Sequence, residues 1–388
     1  MKSEHDCRQY WIDWLKLLAC VGVACHHLYL VFIGMSSYGS MMAPEWLQGA
    51  CRLMNVFLNG NFWVCLFCML SGWLMADRRA ASLRELLAAI LKRYVRLVLP
   101  FAAAGSFILL LGWLAGFPTD EGSRILGNEW LGGYYSEPLT LRSWLCFALF
   151  FDAVLDGPVW MMRALLAGNC LVYACTYISF RLSAGWKGNV CCLLVAAGAL
   201  CLLGAGSSCV YVACCLLGAA AGLLAQKCPW QAGGFYGQAV LPACWLFLFT
   251  CHGVLADYGR GEGAYVITPL WNTAYGMALL LLLPGSPKLL TAWDRKCSYG
   301  GMSLPVYLLH WPVICAVSLP AYAGLAEWLG YTWAVMLASF LALCVSFGLA
   351  LLYQRLWGRP LQQMQVAAGK WIDCLCGNAK GMRQKYLP

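Results

Sequence analysis

The sequence predicts an all-α fold, a polytopic membrane helix bundle of about ten transmembrane helices. Three observations predict it. Hydrophobic residues fill 62% of the 388 positions and charged ones only 11%, more apolar surface than a water-soluble fold of this length can hide. The apolar residues fall into runs near the length of about 20 residues that a hydrocarbon core demands of a helix. The basic residues gather in alternate connecting segments, as they do in short cytoplasmic loops.

Taken in order, the runs lie at roughly 11–33, 55–76, 97–116, 158–180, 189–206, 209–226, 236–256, 264–284, 302–323 and 330–354, each bounded by Gly, Pro or charge. The first is of spanning length, longer than the apolar core of a signal peptide, and no cleavage site follows it. SWLCFALFF at 143–151 is too short to span and reads as interfacial or re-entrant. With the N-terminus inside, Arg52, Arg124, Arg142 and Arg260 fall in outer loops and Lys16 and Arg163 within helices, which leaves 20 of the 26 basic residues in cytoplasmic segments. Both termini are then cytoplasmic, and Asp120, Glu121, Glu129 and Glu137 lie in an outer loop.

The expected organisation is an integral-membrane domain over 1–354 and a basic cytoplasmic tail over 355–388, in the cell (cytoplasmic or inner) membrane. The net charge of +9 then reflects topology and attraction to anionic membrane lipids, and no nucleic acid is expected as a partner. The 23 cysteines are scattered through the apolar runs and read as small hydrophobes. VCLFC at 64–68 has CxxC spacing but lies inside a helix with neither a second pair nor a His beside it, so no metal is assigned.

The first run, WIDWLKLLACVGVACHHLYLVFI, carries Asp13, Lys16, His26 and His27. Eleven residues at about 100° each bring His27 to within about 20° of the face of Lys16, about 16 Å further along the axis. Asp13, three residues before Lys16, can pair with it and lower the cost of a charge near the interface. His26 points about 100° away. Ionisable groups inside a membrane usually face a bundle interior or a water-filled cavity; the plainer readings are a hydrogen-bonded core histidine and a lysine that snorkels to the surface.

At this point the residues resemble the membrane acyltransferase 3 family. Lys16 and His27 have the spacing of its first-helix Arg or Lys and essential His. VCLFCMLSGWLMA (64–76) is similar to its Phe-Phe-x-x-Ser-Gly helix end, which places Ser71, and KRYVRLVLP (92–100) to its Arg-x-x-Arg segment, which places Arg93 and Arg96. GPVWMMRALL (157–166) and SLPVYLLHWPV (303–313) are similar to its later Trp and Tyr-Leu-x-His-Trp segments. Three departures stand out: Lys16 where Arg is common, Cys68 in place of the second Phe, and Cys65 where a polar residue or Pro is often found.

The resemblance implies transfer of an acyl group, usually acetyl, from cytoplasmic acyl-CoA (acetyl-CoA the expected co-substrate) to a hydroxyl of an envelope glycan or lipid-linked sugar acceptor at the outer face. His27 would act as general base or as an acyl-carrying nucleophile, with Lys16 and Asp13 beside it. Arg93 and Arg96 would bind the phosphates of acyl-CoA, although a cytoplasmic loop is basic in any case. Ser71, Arg163 and His310 are further candidates for lining the site. Trp160 suits either stacking on substrate or an aromatic belt at the outer interface. A transporter using the same intramembrane cavity is the competing class, and His27 discriminates, since a carrier can work without an imidazole at that position.

Overall fold

The computed structural model describes residues 4–34, 43–75, 78, 80–182, 186–203, 207–227, 264–282 and 301–377, which are helical with no strand among them. In order they form α1 (Glu4–Phe32), α2 (Glu45–Leu53), α3 (Asn55–Leu58), α4 (Gly60–Trp73), α5 (Leu83–Ala115), α6 (Thr119–Leu126), α7 (Glu129–Gly132), α8 (Leu141–Phe150), α9 (Met161–Leu182), α10 (Trp186–Leu203), α11 (Ser207–Lys227), α12 (Ala264–Leu282), α13 (Ser303–Val313) and α14 (Leu319–Leu375). A 3-10 turn, Gly157–Trp160, leads into α9, and a π turn, Ile314–Ser318, joins α13 to α14. Five helical stretches are long and apolar enough to cross a membrane: Ile12–Phe32, Leu83–Ala115, Gly157–Leu182, Ser208–Ala225 and Ser303–Leu375. Gly60–Trp73, Leu141–Phe150 and Lys187–Leu202 are shorter apolar helices. The expected run at 236–256 lies outside the described residues.

Four expected spans are redrawn. The run at 55–76 is not one helix: it breaks at Asn59 (φ −79°, ψ 88°), whose side-chain oxygen accepts from the Phe62 amide at 3.1 Å and starts α4 afresh. The break lets Gly60 pass under His26, where a Cβ would come within 2.3 Å of the imidazole. Helix α5 begins at Leu83, well before the expected 97, because Ser82 caps it: Ser82 Oγ accepts from the Glu85 amide at 3.2 Å, and the Glu85 carboxylate accepts from the Ala81 amide at 2.7 Å. Arg93 and Arg96 therefore stand one turn apart on a helix and not in a loop. The last two runs meet at Gly330, whose φ of 71° breaks the helix locally, and α14 then continues through the expected tail to Leu375.

Helix α8 is the short segment expected at 143–151. A capping box between Thr140 and Ser143 starts it, and Phe151, in the left-handed region at φ 52°, ends it. It lies along α5, with Trp144 Nε1 donating to the Ala102 carbonyl at 2.9 Å and Phe147 against Phe101.

The centre of the bundle is α4, almost every residue of which is buried. Small residues let it approach α11 closely: a Cβ at Gly72 would strike the Cys215 carbonyl at 1.8 Å, and one at Gly218 the Met69 carbonyl at 2.1 Å. Along this seam the free thiol of Cys65 faces that of Cys214 and the free thiol of Cys68 that of Cys215. The CxxC pair thus has a second pair opposite it, supplied by a helix far away in sequence. At one end of the bundle α5 and α14 are tied by Lys92 Nζ to Asp373 at 2.5 Å, Gln365 Nε2 to the Arg96 carbonyl at 3.3 Å, and Tyr353 Oη to the Pro100 carbonyl at 2.9 Å.

Candidate active site

Helices α1 and α13 pack together and bring His27 against His310. His27 Nδ1 lies 2.9 Å from the Val23 carbonyl, which can only accept, so Nδ1 carries the proton and Nε2 keeps its lone pair. His310 Nδ1 lies 2.6 Å from the Tyr307 carbonyl and is assigned its proton by the same argument. His310 Nε2, then an acceptor, stands 3.2 Å from His27 Nδ1. One N–H of His27 is thus shared by a backbone oxygen and a second imidazole, which fixes both tautomer and ring plane. On another side Trp311 meets the His27 ring edge-on at 5.4 Å. His310 and Trp311 are buried, whereas His27 is only half-buried.

His26 serves a different contact. Its Nδ1 is 2.5 Å from the Leu58 carbonyl, and its ring fills the space over Gly60. The two neighbouring rings lie 5.7 Å apart with their planes at 68°.

Further down α1, Lys16 Nζ lies 3.5 Å from Asp13, and both are half-buried. Lys16 is within electrostatic range of Arg93 on α5. Arg93 Nη2 donates to Ser71 Oγ at 2.8 Å, and Ser71 Oγ donates to Asn169 Oδ1 at 3.1 Å, which links α5, α4 and α9 in a buried polar chain. Arg93 Nε and Asn169 Nδ2 are buried without a hydrogen-bond partner, and no carboxylate pairs with Arg93 among the described residues. A guanidinium held this way, with a donor edge free, suits an anion. Arg96, the next cation along α5, is exposed.

Lys16 and the imidazole pair thus stand at the two ends of one stripe of α1, with Arg93 near Lys16. The acyltransferase-domain family signature matches residues 9–352 and so covers every residue of that stripe. The chain belongs to the membrane acyltransferase 3 family. As an acyltransferase 3 member it is a multi-pass membrane protein that transfers acyl groups. Searches of curated proteins and of solved structures returned no match.

Two residues that the acyltransferase 3 resemblance singled out stand elsewhere. Arg163, expected in a cavity, is exposed; its Nε donates to the Phe150 carbonyl at 3.0 Å and its Nη2 lies 3.7 Å from Asp152. A backbone carbonyl and a carboxylate meet this charge near a helix end, which lowers the cost that argued for a cavity. Trp160 is exposed and meets Tyr211 edge-on at 5.1 Å. Neither is among the partners of His27 or His310.

Sequence reasoning passed over Asn169, Tyr307, Trp311 and Asp156. Tyr307 and Trp311 flank His310 within YLLHW, so the signal lay in the motif itself. Asp156 had one as well: with Asp152 it is one of two carboxylates in the apolar stretch before GPVW. Nothing in the sequence marks Asn169 as the partner of Ser71, because a hydrogen bond between side chains 98 positions apart belongs to tertiary structure.

Proposed function

We propose that the protein transfers an acyl group, acetyl the expected one, from cytoplasmic acyl-CoA to a hydroxyl of an envelope glycan or lipid-linked sugar at the opposite membrane face. The observation that carries this reading is the bonding of His27, whose Nδ1–H is shared by Val23 and His310 so that Nε2 remains a lone-pair base. An alcohol is a poor nucleophile near neutral pH, and a positioned base contributes about 10²- to 10⁴-fold.

In this reading Nε2 of His27 takes the proton of the acceptor hydroxyl as its oxygen attacks the thioester carbonyl. The new C–O bond forms, the C–S bond breaks, and the imidazolium returns the proton to the departing CoA thiolate. His310 steadies the ring through this cycle, because its Nε2 accepts from the same N–H that the imidazolium must keep. Arg93, Arg96 and Lys16 receive the phosphates of the donor, whose flexible arm extends along the Lys16 face of α1 for about 16 Å to reach His27. Ser71 and Asn169 hold the Arg93 fork.

The test is mass spectrometry of envelope glycans from cells with the protein, without it, and with His27→Ala. Acyl groups present only with the intact protein support the reading. An identical glycan profile in all three cell lines refutes it.

A further inference from the structure

Beneath α6 and α7 the fold buries three polar groups that nothing among the described residues satisfies. Both carboxylate oxygens of Asp156, the indole N–H of Trp311 and the amide oxygen of Asn128 lack a hydrogen-bond partner, and the three side chains are 0%, 0% and 1% exposed. Such groups are rare in folded proteins, and each calls for a ligand or a rearrangement. The surroundings do not supply the missing partner. Tyr135 and Tyr307, both within electrostatic range of Asp156, donate their hydroxyl protons to the Leu155 and Pro158 carbonyls.

Of these groups the Trp311 indole touches the catalytic imidazole, and the Tyr134 ring links it to the chain beside Asp156. Tyr134 packs on Gly157, where a Cβ would come within 2.3 Å of its ring. The same ring meets Trp311 edge-on at 4.6 Å, and Trp311 meets His27. Trp130 completes an aromatic wall, 5.4 Å from Trp311. The cover over this shell is held by Leu126 and Leu131, both fully buried in the core, and by a few polar contacts. Asn128 Nδ2 donates to the Leu30 and Val31 carbonyls at 3.0 Å, Thr119 Oγ1 donates to the Tyr134 carbonyl at 2.5 Å, and Tyr135 sits at φ 54°, a region costly for any residue but glycine.

A buried carboxyl group, able to accept hydrogen bonds and, when protonated, to donate one, an N–H donor and flat aromatic faces are what a ring bearing several hydroxyls requires. We propose that Asp156, together with the Trp311 N–H, recognises the hydroxyl groups of a polyhydroxylated acceptor, and that α6 and α7 form a lid which moves aside to admit it. The proposal rests on the acyl-transfer reading of His27 and names the acceptor side of that site. The groups left unpaired under the lid raise the energy of the closed state, so opening needs less work than the tight packing suggests.

The experiment places Asp156→Asn and Trp311→Phe, both close in shape to the natural residues, in cells whose envelope glycans are read by mass spectrometry. Purified variants are titrated with acetyl-CoA and their thermal stability is measured. The expected result is acyl decoration reduced by about tenfold or more, with acetyl-CoA affinity within about twofold of the parent and no loss of stability in Asp156→Asn. Parental decoration in Asp156→Asn overturns the proposal, as does a parallel loss of decoration and acetyl-CoA binding, which marks a structural role. If the parent protein itself leaves the envelope unchanged, the acyl-transfer reading fails and this inference falls with it, a result distinct from the other two.

Discussion

His310 holds His27 through a single shared proton: Nε2 of His310 stands 3.2 Å from Nδ1 of His27, whose N–H also reaches the Val23 carbonyl, while His310 Nδ1–H is tied to the Tyr307 carbonyl of its own helix. The arrangement resembles the way a carboxylate orients histidine in hydrolases, with an uncharged partner in its place. Replacing His310 by Ala is expected to lower kcat by about 10²-fold through loss of orientation, with KM for acyl-CoA unchanged. Steady-state kinetics on purified protein check this, and an equal change in both constants would show that His310 binds the donor instead.

Adjacent histidines are expected to separate cleanly. His27→Ala removes the base and lowers turnover by about 10²- to 10⁴-fold without loss of stability. His26→Ala loses the bond to the Leu58 carbonyl and the packing over Gly60, which costs about 1 kcal/mol, and keeps its turnover. Thermal unfolding and turnover measured on the same preparations distinguish the two.

Donor affinity should follow α5. Arg93→Gln with Arg96→Gln is expected to weaken acetyl-CoA binding, and the residual affinity should depend less on salt than that of the parent. Ser71→Ala, which frees the Arg93 fork, should produce a smaller loss of the same kind. Titrations at two ionic strengths provide the check.

Stability should depend on the pair that joins α5 to α14. Asp373 is 6% exposed and Lys92 35%, so Lys92→Met strands a buried carboxylate at a cost of about 1–3 kcal/mol, between the values for exposed and fully buried pairs. The exchange of both residues, Lys92→Asp with Asp373→Lys, should recover part of the loss, as a double-mutant cycle of unfolding midpoints would show.

Asp156 gives a pH signature. Burial pushes its carboxyl well above the usual carboxylate range, and the groups facing it, Tyr135, Tyr307 and Cys315, are not cations. The folded protein therefore holds a proton there that the unfolded chain releases near pH 4. As pH rises from about 4 through the folded value, the parent loses stability, whereas Asp156→Asn does not. The difference in Tm should be close to zero at about pH 4 and grow in favour of the variant toward neutrality. A difference independent of pH would mean that the carboxyl is not protonated in the fold.

How far the sequence could be read follows from the range of each interaction. The apolar runs, the stripe from Lys16 to His27 and the pairing of Asp13 with Lys16 are properties of single helices, and periodicity shows them. The start of α5 was also legible, in the Ser82 and Glu85 spacing, but the charge of that stretch outweighed it. The break at Asn59 is capped locally by that side chain, but the close approach of Gly60 to His26 that it permits involves another helix, which no spacing reveals. The same holds for Cys214 and Cys215 facing the CxxC pair, and for Arg163, whose charge is relieved by Asp152 and by exposure that no spacing reveals.

The two long helices that meet at Lys92 and Asp373 have a consequence for the membrane itself. Helix α5 has 33 residues and extends about 50 Å, against a hydrocarbon core of about 30 Å; measured from its Ala115 end, Arg96 and Arg93 fall where the surplus turns begin. Helix α14 is longer still and meets the same surplus turns through Asp373 and Gln365. The cationic end of the site thus stands at the edge of the hydrocarbon, buttressed from outside it. In the proposed acyl-transfer reading, a multiply charged donor would dock there without carrying its charge into the lipid interior, and only its uncharged part would travel inward to His27.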